Sequence, residues 1–149
     1  MSKMSRYELL EKFIKDSKYE HIAEIGVRDG ETTFHLLRTC KLKRYILVDI
    51  DKRIDTPPLC EFRQMKSTDA APTVKDGSLD LIFIDADHSF ESVTSDITSW
   101  LPKVRKGGMI TGHDYMNPAH RDVEKAVDSF FGKEKVEFNE DCYVWMVRV

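Results

Sequence analysis

Two runs of the chain, Arg44–Ile50 (RYILVDI) and Leu79–Asp85 (LDLIFID), are almost continuously apolar, strand-length and ended by acid. A strand with one wet face alternates apolar and polar residues, whereas a run like these has to be covered on both sides. A parallel sheet with helices on each face meets that demand, and helical patterns lie between the runs. Ser5–Lys18 places Tyr7, Leu10, Phe13 and Ile14 at helical spacing behind a serine cap. Thr32–Cys40, Phe90–Leu101 (stopped by Pro102) and Arg121–Phe131 (closed by Gly132) read as further helices. His21–Val27 predicts a first strand, Phe62–Lys66 a third, and Ala71–Val74 a short turn or helix before Asp76-Gly77. Gly108–His113 reads as a fifth strand after a Gly107-Gly108 turn. Val136–Phe138 and Tyr143–Val149 close the chain as two strands with no helix between them. The expectation is an α/β fold, a doubly wound, mostly parallel sheet with right-handed crossovers and one antiparallel hairpin at its C-terminal edge. That ending differs from the ordinary dinucleotide fold, whose last strands stay parallel.

The 149 residues suit a single domain, 1–149, and 41% hydrophobic with 33% charged residues suits a globular protein with a real core. No apolar run is long enough to span a bilayer, and the charged N-terminus is unlike a secretory signal. Cys40, Cys60 and Cys142 are odd in number and form no C-x-x-C pair, which reads as reduced thiols in a cytoplasmic protein. A net charge of −3 argues against nucleic acid as the partner. The basic residues Arg38, Lys41, Lys43 and Arg44, with Lys52 and Arg53, read as a solvated surface around a helix end.

Ligands of open parallel sheets sit beyond the carboxyl ends of the strands. At the first such end stands Glu24-Ile25-Gly26-Val27-Arg28-Asp29-Gly30, a glycine-rich turn running into a helix that opens at Thr32 and Thr33. Such a turn brings bare backbone and unpaired N–H groups close to a ligand. Its spacing is E-x-G-x-x-x-G; it lacks the G-x-G-x-x-G of dinucleotide folds and the lysine of a P-loop. Asp49, 23 residues after Gly26 near the end of the second strand, is placed to accept the 2′ and 3′ hydroxyls of a ribose. Asp51 is the less favoured ribose partner and reads as a turn cap. Two further acids, Asp85 and Asp114, end the fourth and fifth strands, so their carboxylates converge at the mouth of the sheet.

The turn resembles the first motif of the class I S-adenosylmethionine (SAM)-dependent methyltransferases. Three more segments resemble one branch of the small-molecule O-methyltransferases: Phe83-Ile84-Asp85-Ala86-Asp87-His88, the Gly107-Gly108 turn, and His113-Asp114-Tyr115. The likeness runs from about Ile22 to Tyr115, in order. It implies a seven-stranded Rossmann-like methyltransferase sheet with SAM as cofactor. It also implies a cofactor set of Glu24, Gly26, Gly30, Thr32, Asp49, Ser67, Thr68, Asp69 and Asp85. Within that set, Glu24 and Gly26 are expected beside the methionine end and Ser67-Thr68-Asp69-Ala70 at the adenine edge. For catalysis it implies His88 as base with Asp85 and Asp114, the two carboxylates inviting a hard divalent cation such as Mg²⁺. An unperturbed imidazole, with a pKa of about 6.5, suits the base.

The chain departs from the catechol-type pattern by having Asp114-Tyr115 preceded by His113 where those enzymes have Asp-Asn, so a third oxygen ligand is missing. Asp87 either supplies that oxygen or caps the helix near Ser89. His113 is a base, a ligand or, preferred, a satisfied strand-end histidine. Tyr115 and Trp145 line a pocket or, preferred, pack the core. The expected activity is methyl transfer to a small-molecule acceptor, a hydroxyl before other groups. The alternative is an inactive SAM- or SAH-binding module, motivated by the lack of the N-terminal extension or lid that encloses substrate in many relatives. An NAD-linked enzyme is disfavoured by the glycine spacing and the hairpin, and an open catalytic mouth makes a homodimer plausible.

Overall fold

The computed structural model describes residues 2–149. Seven strands form one sheet: β1 (His21–Ile25), β2 (Arg44–Asp49), β3 (Cys60–Gln64), β4 (Leu79–Ile84), β5 (Val104–Gly112), β6 (Glu137–Asn139) and β7 (Val144–Arg148). Their order is β3-β2-β1-β4-β5-β7-β6, parallel from β3 through β5, with β7 antiparallel to both β5 and β6. The strand order reverses between β1 and β4, which makes the gap beyond their carboxyl ends the ligand crevice of such a sheet.

Strand alternation sorts the core into two layers. Ile22, Tyr45, Leu47, Leu81, Phe83 and Met109 face α1 (Arg6–Ser17) and α2 (Glu31–Thr39). Ala23, Ile46, Val48, Ile82, Ile84 and Ile110 face α3 (Ser67–Ala70), α4 (Phe90–Trp100) and α5 (Arg121–Phe131). All six residues of β4 are buried, as its nearly continuous apolar run requires. Asp80, the one acid inside that run, accepts the backbone N–H of Glu20 and His21 at 2.7 and 2.9 Å and Arg105 Nε at 2.6 Å. It therefore pins the start of β1 to the base of β4 and β5. Ser5 caps α1 in a reciprocal capping box with Glu8, worth about 1 kcal/mol.

Several boundaries differ from the sequence reading; α2 begins at Glu31, β6 spans Glu137–Asn139 and β7 spans Val144–Arg148. β5 begins at Val104, so Gly107-Gly108 is a bulge within the strand; the register jumps there, with Leu79 opposite Val104 and Leu81 opposite Met109. β3 begins at Cys60 and ends at Gln64, and the short helix starts at Ser67, continuing as a 3₁₀ turn over Ala71–Thr73. β1 stops at Ile25 because Gly26 turns the chain with φ +93°. No described helix is long and apolar enough to cross a membrane.

Candidate active site

A cleft of about 490 Å³ opens beyond the ends of β1, β2 and β4, the crevice named by the strand order. Its floor is Ile25, Gly26, Val48 and Asp49; Ser67 and Thr68 of α3 form one side, and Asp85, Asp87, Ser92 and Asp96 the other. Five of the expected cofactor residues, Gly26, Asp49, Ser67, Thr68 and Asp85, line it together.

The Asp49 carboxylate organises the glycine turn. Oδ2 accepts the N–H of Val27 (2.9 Å) and Arg28 (3.0 Å), and Oδ1 accepts the N–H of Asp51 (3.1 Å). Oδ1 accepts only one hydrogen bond and Asp49 lines the cleft, so the acid can hold the turn and still accept from a hydroxyl. Asp51 also stands on the cleft wall, exposed.

Four expected residues lie off the wall. Glu24 sits on the alternate face of β1, under α1 and α2, where Thr33 Oγ1 (2.7 Å) and the Tyr45 hydroxyl (2.6 Å) both donate to its Oε1. Burial pushes its pKa up to about 7, against the lowering effect of those two bonds and with a further push from Asp85. Gly30 is the left-handed N-cap of α2 (φ +80°), and Thr32 is buried in the first helical turn behind it. Asp69 is exposed because α3 is a helix and carries it past the wall that Ser67 and Thr68 form.

A void of about 10 Å³ adjoins the cleft, sharing Asp85, Ala86 and Asp87 and adding His88, His113 and Trp145. His88 Nε2 lies 2.6 Å from Asp114 Oδ2, but it is buried and out of line for a well-formed hydrogen bond. Asp114 holds a left-handed backbone (φ +69°), which costs a non-glycine residue about 1 kcal/mol or more, and Asn117 Nδ2 donates to its Oδ1 at 2.8 Å. His113 Nδ1 lies between carboxylates, 3.5 Å from Asp85 Oδ1 and 3.4 Å from Asp114 Oδ2. Burial would lower its pKa, but the two carboxylates win and raise it to about 9. Asp114 shows the reverse: burial opposes, yet His113, Asn117 and His88 hold its pKa well below the usual carboxylate range.

His113 is thus a satisfied histidine just past the end of β5, paired with both carboxylates. Ser89, not Asp87, caps α4, its hydroxyl accepting the N–H of Ser92 at 3.2 Å; Asp87 braces that turn from outside the helix, accepting from His88 N (2.8 Å), Ser92 Oγ (2.8 Å) and Ser89 Oγ (3.3 Å). Tyr115 and Trp145 are core: each is 1% exposed, and the Tyr115 hydroxyl donates to Asp128 Oδ1 at 2.6 Å.

Three site residues escaped the sequence reading. Asp96 of α4 is buried on the cleft wall, bonded by the Ser67 hydroxyl, and burial raises its pKa to about 6. Its signal was present: Val93, Asp96, Ile97 and Trp100 share one helix face, so Asp96 is a polar residue at a core position. His120 stacks on His88, ring centroids 3.8 Å apart at 18°, brought there by the turn between β5 and α5. Arg6, at the start of α1, leaves its Nε buried without a hydrogen bond, 3.9 Å from Asp85 Oδ2. Neither of these two has a local sequence signature.

The model of a methyltransferase domain family matches residues 23–115, which spans the glycine turn, Asp49, Asp85, His88 and Asp114. The chain belongs to that family. Solved structures agree on the methyltransferase fold. An O-methyltransferase from Bacillus cereus in complex with SAH superposes with a TM-score of 0.71 at 16% identity, over 97% of this chain and 80% of that one. The O-methyltransferase NovP gives 0.73 at 17%, over 96% and 78%. MycE, a methyltransferase of the mycinamycin biosynthetic pathway in complex with Mg and SAH, gives 0.69 at 16%, over 94% of this chain and 48% of its own length. No curated protein matches the chain by sequence.

Proposed function

We propose that the chain transfers the methyl group of SAM to an oxygen of a small molecule. The observation that carries this reading is the adjacency of two sites. A cleft floored by Gly26 and Asp49 meets, at Asp85, a small void lined by His88, whose Nε2 stands 2.6 Å from Asp114 Oδ2. Asp49 holds the ribose hydroxyls, Ser67 and Thr68 border the adenine, and Gly26 lets the cofactor lie against bare backbone. Bound there, SAM would supply the methyl group at the Asp85 end of the cleft, the end nearest His88.

Methyl transfer needs an acceptor oxygen held in line with the sulfonium, and placement supplies much of the rate. His88 takes the acceptor's hydroxyl proton as the oxygen attacks the methyl carbon, and SAH leaves with the electron pair of the broken C–S bond. Asp114 orients His88 and stabilises the imidazolium that forms. Mg²⁺, the ion of MycE, asks for six oxygens in tight octahedral geometry. Here the His113 imidazole stands against both carboxylates, so the donor set does not fit Mg²⁺ and no step runs through it.

Calorimetric titration with SAM, SAH and NAD, followed by transfer of labelled methyl to a panel of phenols, sugars and carboxylic acids, tests the reading. Micromolar binding of SAM and SAH but not NAD, with label on an oxygen acceptor, is expected. Binding without transfer to any acceptor would favour the inactive SAM-binding module, and binding of none would remove the methyltransferase reading.

A further inference from the structure

We propose that Asp96, a helix residue outside every motif of the sequence, reads the 6-amino group of a purine in the cleft and so makes the chain selective for 6-aminopurine cofactors. The inference rests on the SAM reading above and adds to it the residue that decides which base is accepted. Asp96 is 5% exposed and lines the cleft. Its Oδ1 accepts the Ser67 hydroxyl, and among the described residues no hydrogen bond reaches Oδ2. The fully enclosed side-chain atoms without partners are Arg6 Nε, His88 Nε2 and Thr94 Oγ1. Oδ2 of Asp96 is not one of them, so it keeps an opening, and for a side chain on this wall the opening is the cleft.

Tying α3 to α4 does not call for a carboxylate. Trp100 Nε1, from the same face of α4, already donates to the Ser67 carbonyl at 3.2 Å. A neutral acceptor would hold the Ser67 hydroxyl as well without taking a charge out of water. A carboxylate has about four acceptor positions, and each one left empty in a buried site costs solvation. No cation offsets that cost: burial raises the Asp96 pKa to about 6, and the nearby charge that acts on it is a second acid, Asp87. At neutral pH the group is therefore ionised and short of donors. An exocyclic amine donates N–H and brings no lone pair that a carboxylate would repel, which is what Oδ2 lacks.

Position selects the base over the other donors of SAM. The sulfonium is attached at one side of the ribose and the base at the other, with the ribose hydroxyls at Asp49. The methyl-bearing part takes the Asp85 end of the cleft, so the base lies toward Ser67, the residue that carries the bond to Asp96. Ser67 is itself held at both its carbonyl and its hydroxyl, which fixes Oδ1 and leaves Oδ2 to the ligand. A site built to accept an N–H discriminates against a ligand that lacks it, because its own polar atom is then left unpaired.

Calorimetric titration with SAH and with its analogue carrying hydrogen in place of the 6-amino group tests this. The unaltered chain should bind SAH at least about tenfold more tightly than the analogue, as expected for a hydrogen bond to a charged group. In Asp96→Ala, SAH should weaken by a similar factor while the analogue changes little, so the gap closes. Equal affinity of the unaltered chain for the two ligands would overturn the proposal, and that comparison needs no variant to fold. A variant that loses affinity for both ligands alike would also overturn it, since that is the mark of a tie between helices alone. SAH bound without preference removes the role of Asp96 and leaves the SAM reading, whereas no binding of SAH removes that reading and this inference with it.

Discussion

Gly26 and Asp85, 59 positions apart in sequence, are in backbone contact: a Cβ placed on Gly26 lies 2.0 Å from the Asp85 carbonyl oxygen. The end of β1 passes under the end of β4 with no room for a side chain, and φ +93° at Gly26 makes the turn. Both constraints act at the floor of the cleft. Gly26→Ala should therefore destabilise the fold by roughly 2–4 kcal/mol, from left-handed strain and a displaced strand end. Urea unfolding measures it, and a loss below about 0.5 kcal/mol, the range of an ordinary surface change, would mean the strand ends can part freely.

Asp49 accepts three backbone N–H groups, two of them from the glycine turn. Asp49→Ala should weaken SAH at least about tenfold, because it removes the ribose acceptor and releases the turn at once. Asp49→Asn retains one acceptor oxygen and should fall between the two. Calorimetry on the three proteins gives the order; an alanine variant that binds SAH like the parent would remove Asp49 from the cofactor site.

Glu24 gives a pH signature. Its carboxyl is raised from an ordinary 4.5 to about 7 by burial. Between those values the folded chain binds a proton that the unfolded chain has released, so stability falls as pH rises. The group's contribution is full below pH 4.5 and gone above about 7, on the order of 3 kcal/mol. Glu24→Gln can still accept from Thr33 and Tyr45, and it should flatten this limb. Melting temperature from pH 5 to 8 for both proteins tests it, with parallel curves counting against a buried neutral carboxyl.

His88→Ala should lower turnover by about 10²–10⁴ while changing SAH affinity little, as expected for a base that touches the acceptor and not the cofactor. Because His88 also packs on His120, the pH profile is the sharper readout. The limb that reports the base should vanish in His88→Gln, which preserves much of the side chain's volume. An equal loss of turnover and SAH affinity would make His88 a structural residue.

Strand and helix identities, the hairpin and the acids at strand ends were legible because each rests on local pattern: unbroken apolar runs, caps and turn glycines. Asp49 and Asp85 needed no more than their positions at the ends of such runs. Glu24 shows where this stops. It stands one residue before the cleft-lining Ile25, and in a strand a single step moves a side chain to the opposite layer. Asp69 was displaced because α3 is a helix, whose rotation carries it off the wall that Ser67 and Thr68 form. Asp96 carried a readable signal, a lone acid on an apolar helix face, whereas His120 and Arg6 carried none.

By itself the sequence determined the alternating elements, the glycine turn and which acids end which strands, since these follow from neighbours a few residues apart. Tertiary structure decided which side chains meet. His113 stands between Asp85 and Asp114 because β4 and β5 are adjacent and in register, with Ile84 opposite Gly112. His88 meets Asp114 and His120 because the turns after those two strands fold toward each other. Donor spacing, burial and the resulting proton affinities come from that convergence, which no stretch of the chain encodes alone.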